Sequence, residues 1–439
     1  MAPGLTGGDT APRLQAVRKM PLQHEETFVK TRILTLLAAA VTALCAPAWA
    51  QKDDSLLAAA TAEQPAVVKT LERLVNIETG TGNAEGMAAM GELLEAELKA
   101  LGATVTRHKA AAPAIGDNIV GRIEGKGGKR LMLMAHMDTV YVKGTLEKAP
   151  FRVDGNRAFG PGIADDKGGI SVILHTLKVL KARGFDGFGS ITVMFNTDEE
   201  RGSVGSRELI RSLARQQDFV LSFEPNSALR EMLILGTSGT AGVEVRIKGR
   251  ASHAGAAPEQ GVNALTEAAD LILRTQHIDD AKTGLRFNWT LGRGGNVGNI
   301  IPEEAVISAD VRYAKPADLD AAMVKLNEAV AKKRLPAAQI EVNLRRGMPA
   351  FNAGVEGRKL VDKAIAIYKE VGADLAILER TGGGTDAAWA AQDGTPVLEG
   401  LGLPGFGYHS NSAEYVLIDA IPRRLYLAGR MIMDLAQGK

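Results

Sequence analysis

The run Leu131-Met132-Leu133-Met134-Ala135, followed at once by His136-Met137-Asp138, sets the fold class of this chain. An apolar run without polar alternation, bounded by polar residues, suits a strand covered on both faces, as in a parallel sheet wrapped by helices. Working outward, the pattern predicts a helix over 168–180, a strand over 191–195, a helix around 206–213 and a strand over 219–223. Strand and helix in alternation mean βαβ units. Upstream, Val67, Leu71, Leu74 and Val75 within 64–77 recur at helical spacing, as do Met87, Met90, Leu94, Leu98 and Leu101. Both stretches read as amphipathic surface helices.

Near Ser238 the pattern changes. A strand over 241–247, a helix over 262–276, strands over 285–291 and 305–311, a helix over 316–332 and a strand over 339–344 spell β-α-β-β-α-β, the arrangement of a small two-layer domain. After Pro349 the βαβ style resumes, with a helix over 355–371, strands over 375–378 and 396–399, and a last helix over 422–435. The expected fold is therefore α/β, a mainly parallel sheet flanked by helices, with a two-layer domain inserted. The expected division is a targeting segment at 1–50, one catalytic domain in two parts at 51–237 and 350–439, and the insert at 238–349.

The bulk composition supports a soluble globular chain: 439 residues, 45% hydrophobic and 23% charged. Lys and Arg number 52 against 51 Asp and Glu, so no global field attracts nucleic acid or an anionic membrane. The length exceeds what one core usually serves, which agrees with an inserted second domain. Cys45 is the single cysteine, which excludes a disulfide framework and a thiolate cluster, so any bound metal must rest on His and carboxylates.

Residues 33–46 form an apolar run preceded by Lys30 and Arg32 and followed by Ala48-Trp49-Ala50, the pattern of a secretory signal with Gln51 as the mature start. The run is short for a membrane span and ends at Pro47. Leu44 is bulky where a lipid-attachment motif at Cys45 needs a small residue. The expected location is the periplasm or the exterior, with no membrane association after cleavage. The tract before Val29 is long for a basic leader and carries Glu25 and Glu26, which points to a start codon assigned too far upstream. The segment holds Arg13, Arg18, Lys19, Lys30 and Arg32 against Asp9, Glu25 and Glu26, so near-neutrality survives its removal.

Ligands of open α/β sheets collect at the carboxyl ends of strands. Here one strand ends in His136-Met137-Asp138, a second leads to Asp198-Glu199-Glu200 and a third ends in Glu224-Pro225. The Gly-rich turn Gly160-Pro161-Gly162-Ile163-Ala164-Asp165-Asp166-Lys167-Gly168-Gly169 opens a helix, and His409 lies far downstream. Each feature has an ordinary explanation: adjacent acids are usually a solvated face, a lone His a structural residue. The turn lacks both the Lys-Ser/Thr ending of a phosphate loop and the spacing of a dinucleotide fingerprint. The coincidence favours chemistry, because imidazole with carboxylate suits zinc or a similar divalent ion, and a spare carboxylate can activate water.

The segments His136-Met137-Asp138-Thr139-Val140, Gly162 through Gly168, Asp198-Glu199-Glu200, Ser222-Phe223-Glu224-Pro225, Gly382-Gly383-Gly384-Thr385-Asp386 and Gly407-Tyr408-His409 together resemble the di-zinc metallopeptidases that include aminoacylases, succinyl-diaminopimelate desuccinylase and acetylornithine deacetylase. Within that family the chain looks most like the bacterial glutamate carboxypeptidases that cleave folates. The resemblance implies two zinc ions per subunit: His136 and Glu224 on one, Glu200 and His409 on the other, Asp165 bridging. It makes Glu199 the general base and Asp138 the residue that orients the His136 imidazole. It implies a homodimer whose inserted domain is both lid and dimer surface, with His253 of Ser252-His253-Ala254-Gly255 reaching the partner's site to steady the oxyanion. Arg312 would clamp the substrate's free carboxylate, and Asn299 and Gly384 would line the pocket.

One departure from the pattern is Met232 and Met348, which stand where the folate-cleaving members carry basic residues near the glutamate pocket. The substrate expected first is a small N-acyl amino acid ending in glutamate. An apolar C-terminal residue is the second possibility, motivated by those two soft side chains. The reading from another class is a non-catalytic periplasmic solute-binding protein, which should purify without stoichiometric zinc.

Overall fold

In a computed structural model, residues 52–410 and 413–439 are described. The expected targeting segment, with Cys45 and the cleavage site, lies outside them. No helix among the described residues is long and apolar enough to cross a membrane.

The chain opens with α1 (Asp54–Val75) and α2 (Ala84–Leu101), then runs through β1 (Thr104–Lys109), β2 (Asp117–Glu124), β3 (Arg130–His136), α3 (Lys167–Ala182), β4 (Ser190–Asn196), α4 (Arg207–Ala214), β5 (Phe219–Ser222) and β6 (Met232–Ile234). The second block comprises β7 (Gly239–Lys248), α5 (Ala264–Thr275), β8 (Arg286–Gly294), β9 (Glu304–Tyr313), α6 (Pro316–Ala331) and β10 (Gln339–Arg346). The chain then returns with α7 (Gly354–Glu370), β11 (Ala376–Leu378), β12 (Val397–Glu399) and α8 (Ile421–Ala436).

Helix α1 starts ten residues before the expected 64. Asp53 caps it by accepting from the Leu56 amide at 2.8 Å, and Leu56 and Ala60 continue the buried stripe toward Val67 and Leu71. The β1–β2 hairpin, unanticipated from sequence, extends the sheet at one edge.

The main sheet runs β1-β2-β4-β3-β5-β12-β6-β11. β4, β3, β5 and β12 lie parallel through its middle, β1 and β2 antiparallel at one edge, and β6 runs antiparallel to β12 but parallel to β11. β3 shows why its sequence has no polar alternation: Leu131, Leu133 and Ala135 enter one core, and Met132 and Met134 enter a second core on the opposite face. The second sheet, β8-β9-β7-β10, is wholly antiparallel and packs α5 and α6 around its own core of Val243, Val245, Leu271, Val311 and Leu326. A small sheet joins two distant loops: Tyr415–Leu417 pairs with Arg157–Phe159 on one side and Pro404–Phe406 on the other.

Candidate metal centre and substrate cleft

Because β4, β3 and β5 are parallel neighbours, the loops leaving their carboxyl ends converge. His136 is the last residue of β3, Glu199 and Glu200 sit on a 3-10 turn just after β4, and Glu224 follows β5. The loop 160–166 leads into α3, and His409 is carried on the loop after Pro404–Phe406 with φ of 55°.

Asp165 lies at the centre. Its Oδ1 is 2.9 Å from His136 Nε2, and its Oδ2 is 3.1 Å from His409 Nε2. Glu224 Oε1 stands 3.9 Å from His136 Nε2, and Glu200 Oε2 is 3.0 Å from His409 Nε2. Two donor groups result, one of His136 with Glu224 and the other of Glu200 with His409, and the two oxygens of one carboxylate face them separately. Asp166 also lies within ligand distance of His136 and Glu224. Its carboxylate is already engaged: Oδ1 caps α3 at the Gly169 amide and Oδ2 faces the His136 amide.

The electrostatics fit a cation. Burial raises the pKa of Glu199 and Glu224 well above the carboxylate range, and neighbouring acids add to that rise while His136 opposes it. Glu200 is raised as well, burial again leading. Burial works against a charge on His136, yet its contacts with Asp138 and Asp165 and the charge of Glu224 push its pKa well up. His409, hydrogen-bonded to Asp165 and Glu200, rises to about 10. Protons thus neutralise a crowd of acids that divalent ions would neutralise instead, releasing those protons on binding. The donors are imidazole and carboxylate, the set suited to zinc and its neighbours.

Asp138 does more than sit beside the imidazole. His136 Nδ1 is 3.0 Å from the Asp138 carbonyl oxygen and 3.4 Å from Oδ1. The Asp138 carboxylate accepts from the Glu199 amide at 3.0 Å, the Glu200 amide at 3.2 Å and Thr81 Oγ1 at 2.7 Å. It therefore ties β3 to the turn that presents Glu199 and Glu200.

A cleft of about 820 Å³ opens beside this cluster. Glu199, Glu200, His409, Arg312, Met348 and Gly384 all line it. Arg312 forks onto Asp310, Nε to Oδ1 at 2.9 Å and Nη2 to Oδ2 at 3.0 Å, which fixes the direction of its guanidinium and leaves the Nη1 edge free of that carboxylate. A Cβ on Gly384 would come 2.7 Å from Met348 Sδ, so a bare backbone there lets the buried thioether reach the wall. Met232 is not among the lining residues; it lies on β6, with its amide donating to Asn226 Oδ1.

His253 and Asn299 are absent from the cleft wall. Both are exposed, and the Asn299 carbonyl accepts from the Ala254 amide. His253 Nδ1 accepts from the Gly255 and Ala256 amides, which leaves Nε2 as the protonated donor. Sequence reasoning left Glu414 without a role; its buried carboxylate grips the Asp165 loop. Its position five residues after His409 was the available signal. Asp386, buried and bonded by Asn196 and Ser203, has no signal in the sequence beyond its place in Gly382-Gly383-Gly384-Thr385-Asp386.

The profile of Peptidase family M20/M25/M40 matches residues 132–434. The chain is 65% identical to carboxypeptidase G2 of a Pseudomonas species (strain RS-16), over 93% of this chain and 99% of that protein. Among solved structures, aminopeptidase PepT of Bacillus cereus superposes with a TM-score of 0.72 at 23% identity, covering 85% of this chain and 99% of that one. YXEP of Bacillus subtilis, described as a dinuclear metal binding peptidase of family M20, superposes with a TM-score of 0.65 at 15% identity, over 86% and 99%.

Proposed function

The chain belongs to peptidase family M20/M25/M40 and is a metal-dependent hydrolase of the carboxypeptidase G2 type; on that premise we propose that it cleaves the amide bond to a C-terminal glutamate in folates and related N-acyl-glutamates, with two zinc ions per subunit. The observation that carries this reading is Asp165, whose two oxygens face His136 and His409 separately, each imidazole flanked by a further carboxylate. A carboxylate can bridge two ions held roughly 3.5–4 Å apart, where a neutral imidazole cannot.

In this reading His136 and Glu224 hold one ion, Glu200 and His409 the other, and Asp165 both. Bound there, the ions would supply Lewis acidity toward the scissile carbonyl and toward water. Glu199 takes the proton of the attacking water and passes it to the leaving nitrogen; burial and neighbouring acids have already raised its affinity for that proton. Arg312, with its Nε/Nη2 edge taken by Asp310, pairs the free carboxylate of the substrate through its remaining Nη1/Nη2 edge. Gly384 and Met348 shape the cleft lining.

Residues 238–349 act as lid and dimer surface, and residues 51–237 with 350–439 as the catalytic domain. β8 is an edge strand, and Leu291 on it is 71% exposed; Val297, Ile300 and Leu265 of the same inserted block are exposed as well. An apolar strand edge of this kind invites pairing with a second copy. That arrangement would let His253, with Asn299 beside it, offer its Nε2–H to the oxyanion in the neighbouring subunit. Residues 1–50 direct export, placing the enzyme in the periplasm or outside the cell.

Met348 on the cleft wall favours a second substrate reading, an apolar C-terminal residue. A panel of aroyl-Glu, aroyl-Phe and aroyl-Leu assayed with zinc-loaded protein tests both. The glutamate reading requires the highest kcat/KM for aroyl-Glu; a tenfold preference for an apolar member replaces it.

A further inference from the structure

We propose that Glu414 is the positioning residue of the metal-bridging carboxylate, fixing Asp165 between the two imidazoles before any ion binds; this rests on the reading of Asp165 as the bridge. Glu414 is 4% exposed. Its Oε1 accepts from the amides of Ala164 at 2.7 Å and Asp165 at 3.1 Å, and its Oε2 accepts from the Gly162 amide at 2.9 Å. The Glu414 carbonyl oxygen also accepts from the Gly160 amide at 3.1 Å. One residue thus satisfies four amides of the 160–165 loop, including that of the bridging residue itself. Burial raises the Glu414 pKa, and the bonds from Tyr141 and from the Ala164 and Asp165 amides oppose that rise.

The placement of Glu414 in the fold makes this grip consequential. It immediately precedes the strand Tyr415–Leu417, which pairs with Arg157–Phe159, the strand entering the Asp165 loop, and with Pro404–Phe406, the strand leading to His409. The carboxylate therefore sets the loop of the bridging ligand against the strand neighbouring that of the far imidazole. Gly162 turns beneath it with φ of 69°, and a Cβ there would meet Thr139 Cγ2 at 2.4 Å, so the loop admits this path only with glycine. A bridging carboxylate tolerates little displacement, because both oxygens must stay in reach of separate ions.

The test compares Glu414→Gln, Glu414→Asp and Asp165→Asn with wild-type protein, loaded with Co²⁺. Glutamine turns an NH₂ toward at least one loop amide, placing donor against donor; aspartate keeps the charge but is shorter by one methylene. Expected for Glu414→Gln are about 10–100-fold weaker Co²⁺ affinity by chelator competition and loss of the magnetic coupling between paired ions at saturating Co²⁺. Glu414→Asp should restore part of both. Hydrogen exchange on metal-stripped wild type needs no variant: peptides covering 160–165 should already be protected. Rapid exchange there, slowed only by metal, overturns the proposal even if neither variant folds. Wild-type affinity and coupling in Glu414→Gln overturn it too. Asp165→Asn separates the two levels: if it retains a coupled ion pair the bridge reading itself fails, whereas if it alone loses the pair only the role of Glu414 fails.

Discussion

Replacing Glu199 by glutamine should abolish turnover without dismantling the site. The backbone of Glu199 is anchored independently of its side chain: its amide donates to Asp138 Oδ1 at 3.0 Å, and its carbonyl accepts from the Gly202 amide at 2.7 Å. Ion pairs and side-chain hydrogen bonds in the cluster run through His136, Asp165, Glu200 and His409 instead. The isosteric amide therefore breaks no structural contact. What it removes is the proton acceptor, and positioned proton transfer is worth about 10²–10⁴ in rate. The same carboxylate has to serve twice, on the water and on the leaving nitrogen, so the expected fall in kcat lies at the upper end, about 10⁴-fold or ~5 kcal/mol of barrier. The metal-free variant should also unfold at a temperature no lower than wild type, since burial and the charges of Asp386, Glu200 and Asp165 all disfavour an ionised group at this position. Steady-state hydrolysis of an aroyl-glutamate, metal content by elemental analysis and thermal unfolding of the stripped protein measure the three consequences. A kcat within tenfold of wild type, with two ions bound, would refute the assignment of Glu199 as base. Loss of an ion along with activity would make it a ligand instead.

Other consequences are equally specific. Glu399 is 1% exposed, and burial first, then Asp386, raises its pKa from 4.5 to about 7 against the bonds from Ser222 and Thr385. A carboxyl raised on folding holds its proton in the native state when the unfolded chain has lost it, so its contribution to stability falls as pH climbs from about 4.5 to 7, by about 3 kcal/mol in total. Glu399→Gln should shrink the stability difference between pH 5 and pH 8 in denaturant titrations of the metal-free protein; an unchanged difference contradicts this. Because His409 rises to about 10 and Glu200 and Glu224 are also raised, metal binding should release protons and weaken as pH falls. Calorimetry in buffers of different ionisation enthalpy counts those protons, and a count of zero is the failing result. Arg312→Ala should raise KM for aroyl-Glu by about 10–100-fold, the worth of a charged hydrogen-bond pair, with two ions still bound; an unchanged KM removes Arg312 from the substrate site. If the proposed β8-edge dimer forms, Leu291→Glu, placing a charge on that exposed edge, should shift sedimentation toward monomer, and wild-type protein sedimenting as monomer contradicts the dimer reading.

Much of the fold was legible because local pattern and tertiary environment agree. The run 131–135 sits between two apolar cores, so neither face asks for a polar residue and the sequence alone marks a covered strand. In β7 and β9, buried Val243, Val245, Ile307 and Val311 alternate with partly exposed positions, since one face of that sheet packs α5 and α6 and the other borders the cleft. The β1–β2 hairpin was not legible: residues 104–109 are mostly exposed, and pairing with β2 rather than burial makes them a strand. The first ten residues of α1 were missed because Ala-rich 58–62 carries no strong apolar stripe, and Asp53 and the packing of Leu56 decide where the helix begins.

The metal-centre residues divide along the same line. Types and spacings marked His136, Glu199, Glu200 and Glu224, because each follows a strand that sequence could recognise, and strands laid parallel deliver their carboxyl ends to one edge. Met232 and Met348 looked equivalent as soft residues in the chain, yet β6 carries one into the main sheet and the turn after β10 sets the other on the cleft wall. Asp138 is an imidazole partner by the family resemblance, and its carboxylate, 3.4 Å from His136 Nδ1, also holds the Glu199 turn, through bonds spanning 61 and 62 residues. Glu414 reaches back about 250 residues to the amides of the Asp165 loop. The sequence by itself determined which groups can bind metal, move a proton and form covered strands, because those are properties of residue type and short-range order. Only the tertiary structure decided which oxygen faces which nitrogen, because backbone amides carry no signature in sequence and long-range closure alone brings a distant carboxylate to them.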